Sequence, residues 1–545
     1  MNSPRDKSTG SSKKLLLLFL VLDLVVLFFG DIAYGTKDDV RILQLVSGTM
    51  LCGGPTEFVM YPNIAVGTML KTLYESAAGI PWYFLTLSFL LLVSHLISIA
   101  VAASHSGKWA AWIVGIAFLP FFYQITFTVV SILLVFDAVL LLYHKNSQTN
   151  GTSSSTIYFI AGVMLLVSVL IRPETFFFAL VVGGLSLLVS FGWRTFFKKM
   201  FPFLFFMALS GVAIHALDIV YYNHHPENAN FAEYNKYKSF IIDFDVAEHA
   251  DNFDEALKRA GWSRNDYEVF HRWLFMENDT FSLEKVHRFV ESLNIEWDSK
   301  IPNVLDFYRK FIADPYLQLY LLFFMVCFII CIDTEGKRRL SYMLLFLTLL
   351  FIMITLATKE PPPRLYRPVI YFMFVMTVLY AGISKEKTGY RVFSAVVVSI
   401  LVGLISLQLT EVNKRDRELH MKFVESLQPD RFYLSIDDAL IPKGVDPRSD
   451  LMYLKNLKVV PFGTVVLISD VKKFMKKNGV SDYDDLLNIR VRLLVPQAST
   501  EKIELLKRYL LEHYGIDARD IEVENFNGLK IVHFTTSCHV TVPAS

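Results

Sequence analysis

The chain has 545 residues, of which 53% are hydrophobic, and a formal net charge of +1 at pH 7. Its mean hydropathy is +0.40 and long apolar runs recur, so we expect an integral membrane protein solvated largely by lipid. The nearly neutral charge argues against a general nucleic-acid binder, since that role needs a basic excess concentrated on one face.

About eleven apolar runs approach the ~20 residues that a helix needs to cross a bilayer. The first follows a basic flank and has no clear cleavage site after it, so we interpret it as a retained signal anchor. The boundary at Pro120 to Gln124 could be a hairpin turn or a kink in one longer element. The predicted spans are 14–30, 82–103, 109–122, 124–143, 156–171, 174–192, 201–221, 315–333, 340–357, 367–383 and 391–410.

The distribution of Lys and Arg predicts the orientation, because short basic loops tend to stay in the cytoplasm. With the amino terminus inside, the connections at 192–200, 333–339 and 384–391 are cytoplasmic and distinctly basic. An odd number of spans then places the carboxy-terminal region outside. We therefore expect a multi-pass protein of the cell membrane with a cytoplasmic amino terminus and an extracytoplasmic carboxy-terminal domain.

Two polar regions interrupt the predicted membrane part. The loop 222–314 has helical periodicity over 281–293 and could form a lid over the membrane domain. The predicted division is a helical membrane domain over 1–410, including that loop, and an α/β domain over 411–545. The latter shows strand-like runs at 431–436, 464–468, 490–495 and 529–534, and a helical run at 500–514 that ends at Gly515.

Adjacent carboxylates, Asp38 and Asp39, follow the first span on its predicted outer side, between Lys37 and Arg41. Such a pair beside cations can provide one general base and one metal or hydrogen-bond partner. The alternative is structural, because Asp is a favoured helix N-cap. In that alternative Asp38 caps a helix through 40–47 and Asp39 faces water.

Further charges lie at other predicted outer helix ends. Arg172 and Glu174 interrupt an apolar stretch, and the segment 359–367 carries Arg364 and Arg367 among prolines. Arginine is suited to bidentate phosphate recognition, and proline stiffens the segment that carries it. The alternative is interfacial snorkelling, which is common at helix ends.

Ionisable residues inside predicted spans are costly and therefore informative. Asp23, His215 and Asp218 could line a polar cavity continuous with the Asp pair, or each could hydrogen-bond a neighbouring helix. We favour the structural interpretation for Asp23. His95 and Asp137 lie near cytoplasmic ends and are interpreted as structural.

Three short motifs carry a family resemblance. They are Asp38-Asp39 with the following 40–48, Ile80-Pro81-Trp82-Tyr83, and Ile171-Arg172-Pro173-Glu174. On these motifs the first 410 residues or so resemble the GT-C superfamily of integral membrane glycosyltransferases. Within that superfamily, the chain more narrowly resembles bacterial multi-spanning proteins associated with surface polysaccharides.

The resemblance implies a GT-C-like helical domain with an extracytoplasmic cavity, in a bacterial plasma membrane. It also implies transfer of a hexose or pentose from a polyprenyl-phosphate donor to a glycan or lipid acceptor, with inversion. Asp38 or Asp39 would be the base, and a divalent cation (Mg or Mn) at this pair is compatible with the family although no second acidic metal motif is evident. From topology we expect the donor phosphate at Arg172, Arg364 and Arg367, and substrate contacts at Arg41, Glu174, Tyr61, Asn63 and Tyr366.

Two other classes of function remain open at this point. A transporter or flippase for a lipid-linked or small substrate would also place charges in spans, but many show internal repeats, and none is visible here. A non-catalytic envelope assembly protein would be favoured if Asp38 and Asp39 proved dispensable. In a eukaryote, Asn278-Asp279-Thr280 would be an exposed glycosylation acceptor.

Overall fold

The computed structural model describes residues 5–51, 53–147, 154–225, 228, 231–243, 250–293, 313–315, 317–318, 321–322, 341–342, 362–380, 388–436, 444–449, 454–496, 499–526 and 529–536. All statements below concern these residues.

The amino-terminal part is almost wholly helical because its apolar runs can satisfy their backbone polar groups in lipid only within helices. Two short strands, β1 (Ala33–Tyr34) and β2 (Gln124–Ile125), pair in parallel between the helices. The helices are α1 (Arg5–Phe29), α2 (Lys37–Ser47), α3 (Ile64–Ser76), α4 (Trp82–Ser106), α5 (Lys108–Phe118), α6 (Pro120–Tyr123), α7 (Phe127–Ser147), α8 (Ser154–Ile171), α9 (Pro173–Lys199) and α10 (Phe201–Asn223).

The predicted spans that fall on described residues are helical over most of their length, although 109–122 covers both α5 and α6, and 124–143 begins with β2 before α7. Within the described ranges, five helices are long and apolar enough to cross a membrane, by length and composition: Trp82–Ser106, Phe127–Ser147, Pro173–Lys199, Phe201–Asn223 and Ala395–Glu425. The predicted spans 315–333 and 340–357 lie outside the described residues, apart from isolated positions. The boundary near Pro120 is a turn that leads through α6 into β2, and not a kink in one long helix.

Buried polar contacts join the membrane helices. His95 Nδ1 lies 2.8 Å from Asp23 Oδ2, and its Nε2 lies 2.9 Å from the Gly115 carbonyl oxygen. Ser98 donates to Asp137 at 3.1 Å. These contacts cross between helices and give one carboxylate oxygen each of Asp23 and Asp137, and both ring nitrogens of His95, a buried partner. The structural interpretation of Asp23, His95 and Asp137 is confirmed.

The external loop folds into short helices that pack on the carboxy-terminal domain. They are α11 (Phe231–Lys238), continued by a π turn over Ser239–Asp243, then α12 (Phe253–Ala260), α13 (Arg264–His271) and α14 (Leu283–Ser292). The Met276 amide donates to the Tyr483 hydroxyl at 2.8 Å, and the Gly463 amide donates to the Phe275 carbonyl at 3.0 Å. The described part of this loop is therefore a layer on the α/β domain, and a role as a lid over the membrane domain stays a prediction.

The sequon at Asn278 is likewise engaged in this interface. Its side-chain amide donates to Asp482 at 3.1 Å and to the Tyr509 hydroxyl at 3.0 Å, while its oxygen accepts from the Thr280 amide at 3.1 Å. An amide with these partners is not presented to solvent as an acceptor. The expectation of an exposed glycosylation site is corrected.

Two helices lead into the carboxy-terminal domain: α15 (Pro363–Tyr380) and α16 (Thr388–Glu425). The domain has helices α17 (Ser469–Lys477) and α18 (Thr500–Tyr514), and strands β3 (Phe432–Ser435), β4 (Val459–Pro461), β5 (Val491–Pro496), β6 (Ala518–Phe526) and β7 (Leu529–Thr536). The sheet order is β4-β3-β5-β7-β6. β3 runs parallel to β4 and β5, while β7 is antiparallel to both neighbours.

The predicted strand at 464–468 is wrong. Thr464–Leu467 forms a 3₁₀ turn after Gly463, whose φ of 96° lies in the region that glycine favours. A short buried apolar run lacks the alternation that separates a strand from other buried backbone. The strand of this region is β4, a few residues earlier.

Candidate active site

The site begins at the amino end of α2, where Thr36 is the N-cap. Its Oγ1 accepts a hydrogen bond from the Asp39 amide at 3.3 Å, and its hydroxyl donates to Asp39 Oδ2 at 2.5 Å. The helix ends at Gly48, whose φ is 72° and where an added Cβ would lie 2.2 Å from the Gly54 carbonyl carbon. The alternative in which Asp38 caps this helix and Asp39 faces water is therefore wrong.

Asp39 is fully buried and its carboxylate ties three elements together. Besides Thr36, it accepts hydrogen bonds from the Tyr83 hydroxyl at 3.0 Å and from the Phe127 amide at 2.9 Å. Phe127 is the first residue of α7, so Asp39 also satisfies a donor at that helix start. Burial raises the pKa of Asp39 to about 6, against the lowering effect of these hydrogen bonds. A carboxylate so enclosed positions its neighbours.

Asp38 differs from Asp39 in both exposure and partner. Its side chain is 22% exposed, and its Oδ2 accepts a hydrogen bond from Arg364 at 2.9 Å. Asp38 and Arg364 line a partly open cavity of about 480 Å³. The cavity is lined by Gly35, Thr36, Lys37, Asp38, Pro120, Phe121, Gln124, Thr126, Val129, Pro362, Pro363, Arg364 and Arg367.

A second arginine of the same segment lies in this cavity. Arg367 donates from Nε to Asp314 Oδ2 at 3.1 Å, and the Tyr366 hydroxyl donates to the same oxygen at 2.9 Å. Tyr366 itself is buried. The prolines at the start of α15 and this shared carboxylate fix the segment, so Arg364 and Arg367 are presented from a stiff support. Lys359 lies outside the described residues.

Arg172 is held at the start of α9 by a different set of contacts. It donates to Thr128 Oγ1 at 2.6 Å, and its guanidinium lies over the Tyr61 ring at 4.7 Å from the centroid. Its Nε is 3.7 Å from a carboxylate oxygen of Glu174, whose side chain is 63% exposed. Tyr61 has a φ of 74°, an uncommon conformation for a residue other than glycine.

Arg172 and Arg364 are close enough to influence each other. Burial lowers the pKa of the Arg172 guanidinium; Glu174 opposes that lowering, and the positive charge of Arg364 adds to it. Like charges held together on stiff supports favour an anion between or beside them. The structure therefore brings one carboxylate, Asp38, together with cations from two separate chain segments.

Other residues that the sequence suggested lie elsewhere. Arg41 is buried on α2. Asn63 caps α3, accepting from the Ala65 amide at 3.0 Å, and Asp218 accepts from the Ile64 amide at 2.8 Å. Asp218 and His215 do not line the cavity around Asp38. The predicted polar cavity that would join Asp218 and His215 to the Asp pair is therefore not formed by this cavity.

Several cavity residues escaped the sequence analysis. Thr36 could have been found, because Thr36 and Asp39 have the spacing of a capping box, Ser/Thr followed three residues later by an acid. Gln124 and Thr126 follow the turn at Pro120 and reach the cavity because β2 pairs with β1. Strands of two residues are too short to show a periodic pattern in the sequence. The position of Gln124 and Thr126 at the cavity therefore becomes visible only in the tertiary structure.

Whether Asp38 and Asp39 can bind a metal depends on which of their carboxylate oxygens are free to act as ligands. Both oxygens of Asp39 accept hydrogen bonds from protein donors. Among the described residues, the group of three possible metal ligands that lie close together is Asp266, Glu512 and His513, in the carboxy-terminal region. A cation shared by Asp38 and Asp39 would have to displace structural hydrogen bonds, so Asp38 is the carboxylate of the pair that fits a ligand role.

Comparison with known proteins gives structural matches only. No family model matches the sequence, and no curated protein matches it. ArnT from Cupriavidus metallidurans in the apo state is similar with a TM-score of 0.40 and 13% identity, covering 96% of this chain and 98% of that one. The same protein bound to undecaprenyl phosphate gives 0.41 and 12%, covering 95% and 97%. The similarity extends over nearly the full length of both chains.

Proposed function

We propose that the chain is an inverting membrane glycosyltransferase that moves a hexose or pentose from a polyprenyl-phosphate donor to a cell-envelope glycan or lipid. The observation that carries the proposal is the cavity at which Asp38, Arg364 and Arg367 meet. A base and a phosphate-binding cation are the two kinds of group that such a transfer needs. The sequence motifs around Asp38, Trp82 and Arg172 support the same family.

Asp38 is the proposed base. Its Oδ2 is held by Arg364, so Oδ1 can take the proton of an acceptor hydroxyl as that oxygen attacks the anomeric carbon of the sugar. The bond from that carbon to the donor phosphate breaks, and the polyprenyl phosphate leaves with the electron pair. Attack opposite the leaving group inverts the anomeric carbon.

Arginines are the proposed phosphate ligands. Arg364 and Arg367 line the cavity, and Arg172 is oriented by Thr128 and the Tyr61 ring. Charge developing on the departing phosphate is stabilised by donors that are already in place. A divalent cation, if it binds here, would take Asp38 as its carboxylate ligand.

The orientation supports an outward-facing site. By the distribution of Lys and Arg in the sequence, the segments that line the cavity and the α/β domain are expected on the extracytoplasmic side. We propose the cell membrane as the location, with the acceptor approaching from outside.

The test is transfer of radiolabelled sugar from undecaprenyl-phosphate donors by the full-length protein in membranes. We expect Asp38→Asn to lower transfer by about 10²-fold or more, the usual cost of removing a general base. Glu75→Gln, at an exposed carboxylate on α3, is the matched control and should retain wild-type transfer. If a folded Asp38→Asn variant still consumes the donor as the wild type does, Asp38 is not the base.

Failure of the wild type to consume any polyprenyl-phosphate sugar would refute the glycosyltransferase itself. Uptake or flipping of an unmodified lipid-linked substrate in the same membranes would then favour a transporter. Each outcome is read from the chemical state of the labelled sugar, so the two classes are separated in one experiment.

A further inference from the structure

Two polar side chains of the cavity have no part in the proposed base and phosphate chemistry. Gln124 and Thr126 line the same cavity as Asp38. Side chains alternate across an extended strand, so Gln124 and Thr126 project to one side of the chain at β2. Ile125, between them, projects to the other side and is fully buried. Gln124 and Thr126 therefore form one polar surface of the cavity, which we call the β2 wall.

The hydroxyl of Thr126 is the unusual group of the β2 wall. The residue is 3% exposed, and its Oγ1 has no hydrogen-bond partner in the part of the chain that the structure describes. Burying a hydroxyl without a partner costs free energy that a valine of the same shape would not cost. The hydroxyl therefore gives the fold no advantage, and a molecule bound in the cavity can supply the missing partner.

A backbone contact fixes the β2 wall relative to the proposed base. The amide of Phe127, the residue after Thr126, donates to the Asp39 carboxylate at 2.9 Å. Asp39 in turn is adjacent to Asp38 on α2. Thr126 and Asp38 are thus each one residue away from the same buried hydrogen bond. A ligand placed for reaction at Asp38 therefore meets the β2 wall in a constant geometry.

The chemistry of the cavity suits the sugar of the proposed donor. Pro120, Phe121 and Val129 add apolar surface from the same stretch of chain. A sugar ring has hydroxyls at its edge and C–H groups on its faces, and it fits an apolar surface that carries a few polar groups. In a polyprenyl-phosphate donor the sugar is bonded directly to the phosphate, for which Arg364 and Arg367 are the proposed ligands. The transferred sugar would therefore lie in this cavity.

We propose that Thr126, with Gln124, selects the transferred sugar by hydrogen bonding to a ring hydroxyl. The inference rests on the proposed glycosyl transfer and deepens it by naming the residues that determine sugar specificity. A site built to hydrogen-bond a hydroxyl strongly rejects the analogue that lacks it, because the buried polar group then stays unpaired. The donor class is a hexose or pentose with a free hydroxyl at the position that meets Thr126.

The experiment measures sugar transfer by the full-length protein in membranes. Undecaprenyl-phosphate donors of several hexoses and pentoses are compared first, and then the monodeoxy forms of the sugar that the wild type transfers fastest. We expect the loss of one hydroxyl to lower kcat/KM of the wild type by at least about 10²-fold. Thr126→Val should lower kcat/KM for the intact sugar by at least about tenfold and leave the value for that deoxy sugar unchanged.

Stability provides a second measurement on the same variant. The melting temperature of Thr126→Val in detergent should equal or exceed that of the wild type, because the variant removes a buried hydroxyl that has no partner. A structural role of the hydroxyl would instead lower the melting temperature. Thr72→Val, on the exposed surface of α3, is the matched control and should change neither the melting temperature nor the preference for the intact sugar.

Gln124→Leu examines the β2 wall at its half-buried position. It should also reduce the preference for the intact sugar, so it decides the question if Thr126→Val does not fold. Equal ratios of intact to deoxy transfer in the wild type and in the β2 wall variants would overturn the inference and leave the glycosyl transfer standing. Absence of transfer from every donor by the wild type would overturn both.

Discussion

Asp38 and Asp39 are neighbours in sequence with opposite environments. Asp39 is enclosed by Thr36, Tyr83 and the amide of Phe127. Asp38 shares an open cavity with Arg364. A helix turns about 100° per residue, so one of two adjacent side chains enters the core while the other meets solvent. The pair therefore divides into one positioning residue and one proposed base.

The buried carboxyl should leave a signature in the pH dependence of stability. The pKa of Asp39 is about 6 in the folded protein and about 3.9 in an unfolded chain. Because the folded value is raised, the stabilising contribution is complete below about pH 4 and is lost as the pH rises through 6. We expect Asp39→Asn to remove about 3 kcal/mol of this pH-dependent change.

The measurement is the melting temperature of the wild type and Asp39→Asn in detergent between pH 4 and 8. The asparagine oxygen can still accept from Tyr83 and Phe127, so the variant should fold. We also expect sugar transfer to fall by less than about tenfold, in contrast to Asp38→Asn. Identical pH profiles for the two proteins would contradict the raised pKa.

Arg172 offers a separate test of phosphate binding. Arg172→Lys keeps the charge but removes the planar group that donates to Thr128 and stacks on Tyr61. We expect KM for the donor to rise by about tenfold, equivalent to about 1.4 kcal/mol, with a smaller change in kcat. Arg194→Lys, at an exposed position near the other end of α9, is the control. An unchanged KM in Arg172→Lys would exclude the donor role.

At the scale of elements, α2 depends on its cap and on its last glycine. Thr36→Val keeps the shape of the side chain but removes both hydrogen bonds to Asp39. We expect a loss of about 1–3 kcal/mol of stability, from the missing cap and a buried acceptor left unsatisfied. Denaturant titration in detergent measures it.

Thr72→Val is the matched control for that variant. Thr72 donates only to the Thr68 carbonyl of its own exposed helix surface, at 2.8 Å, and its replacement should change stability by less than about 0.5 kcal/mol. Equal effects of the two substitutions would show that the Thr36 contacts contribute nothing specific.

Elements with complete local signals could be predicted from the sequence. The helix at 500–514 has both an apolar period and Gly515 after its end, where φ is 66°. The strand at 464–468 was wrongly predicted because its apolar run has no period. In the site, Asp38 and Arg364 were expected on one side from topology alone. The burial of Asp39 could not be predicted, because Tyr83 and Phe127 contact it from helices that are distant in the sequence.

At the scale of the whole molecule, the α/β domain contacts the loop that follows α2. The Thr56 hydroxyl donates to Asp470 Oδ2 at 2.6 Å, and Met50 forms an isolated parallel bridge with Lys458. An added Cβ at Gly53 would lie 3.1 Å from the ring of Phe474. The domain therefore supports the segment that carries the proposed base.

A double-mutant cycle between Thr56→Val and Asp470→Ala tests this support. We expect a coupling energy of about 0.5–2 kcal/mol, since the two residues share one partly buried hydrogen bond. The exposed pair Arg259 and Glu255, with N and O at 2.5 Å, is the control cycle and should give less than about 0.5 kcal/mol. Additive effects of Thr56→Val and Asp470→Ala would show that the contact does not couple the parts.

The helix α16 joins the predicted membrane part to the sheet domain without interruption over 38 residues. At 1.5 Å per residue it is about 57 Å long, while the hydrocarbon core of a bilayer is about 30 Å thick. The helix is therefore about 27 Å longer than that core, and it contains no proline that would bend it. Asn413 and Arg417 anchor the helix by hydrogen bonds to the backbone and side chain of Asp31. A straight helix anchored in this way keeps the distance between the sheet domain and the helical part constant. Under the proposed function, an acceptor would therefore be selected by whether its reactive end reaches the cavity.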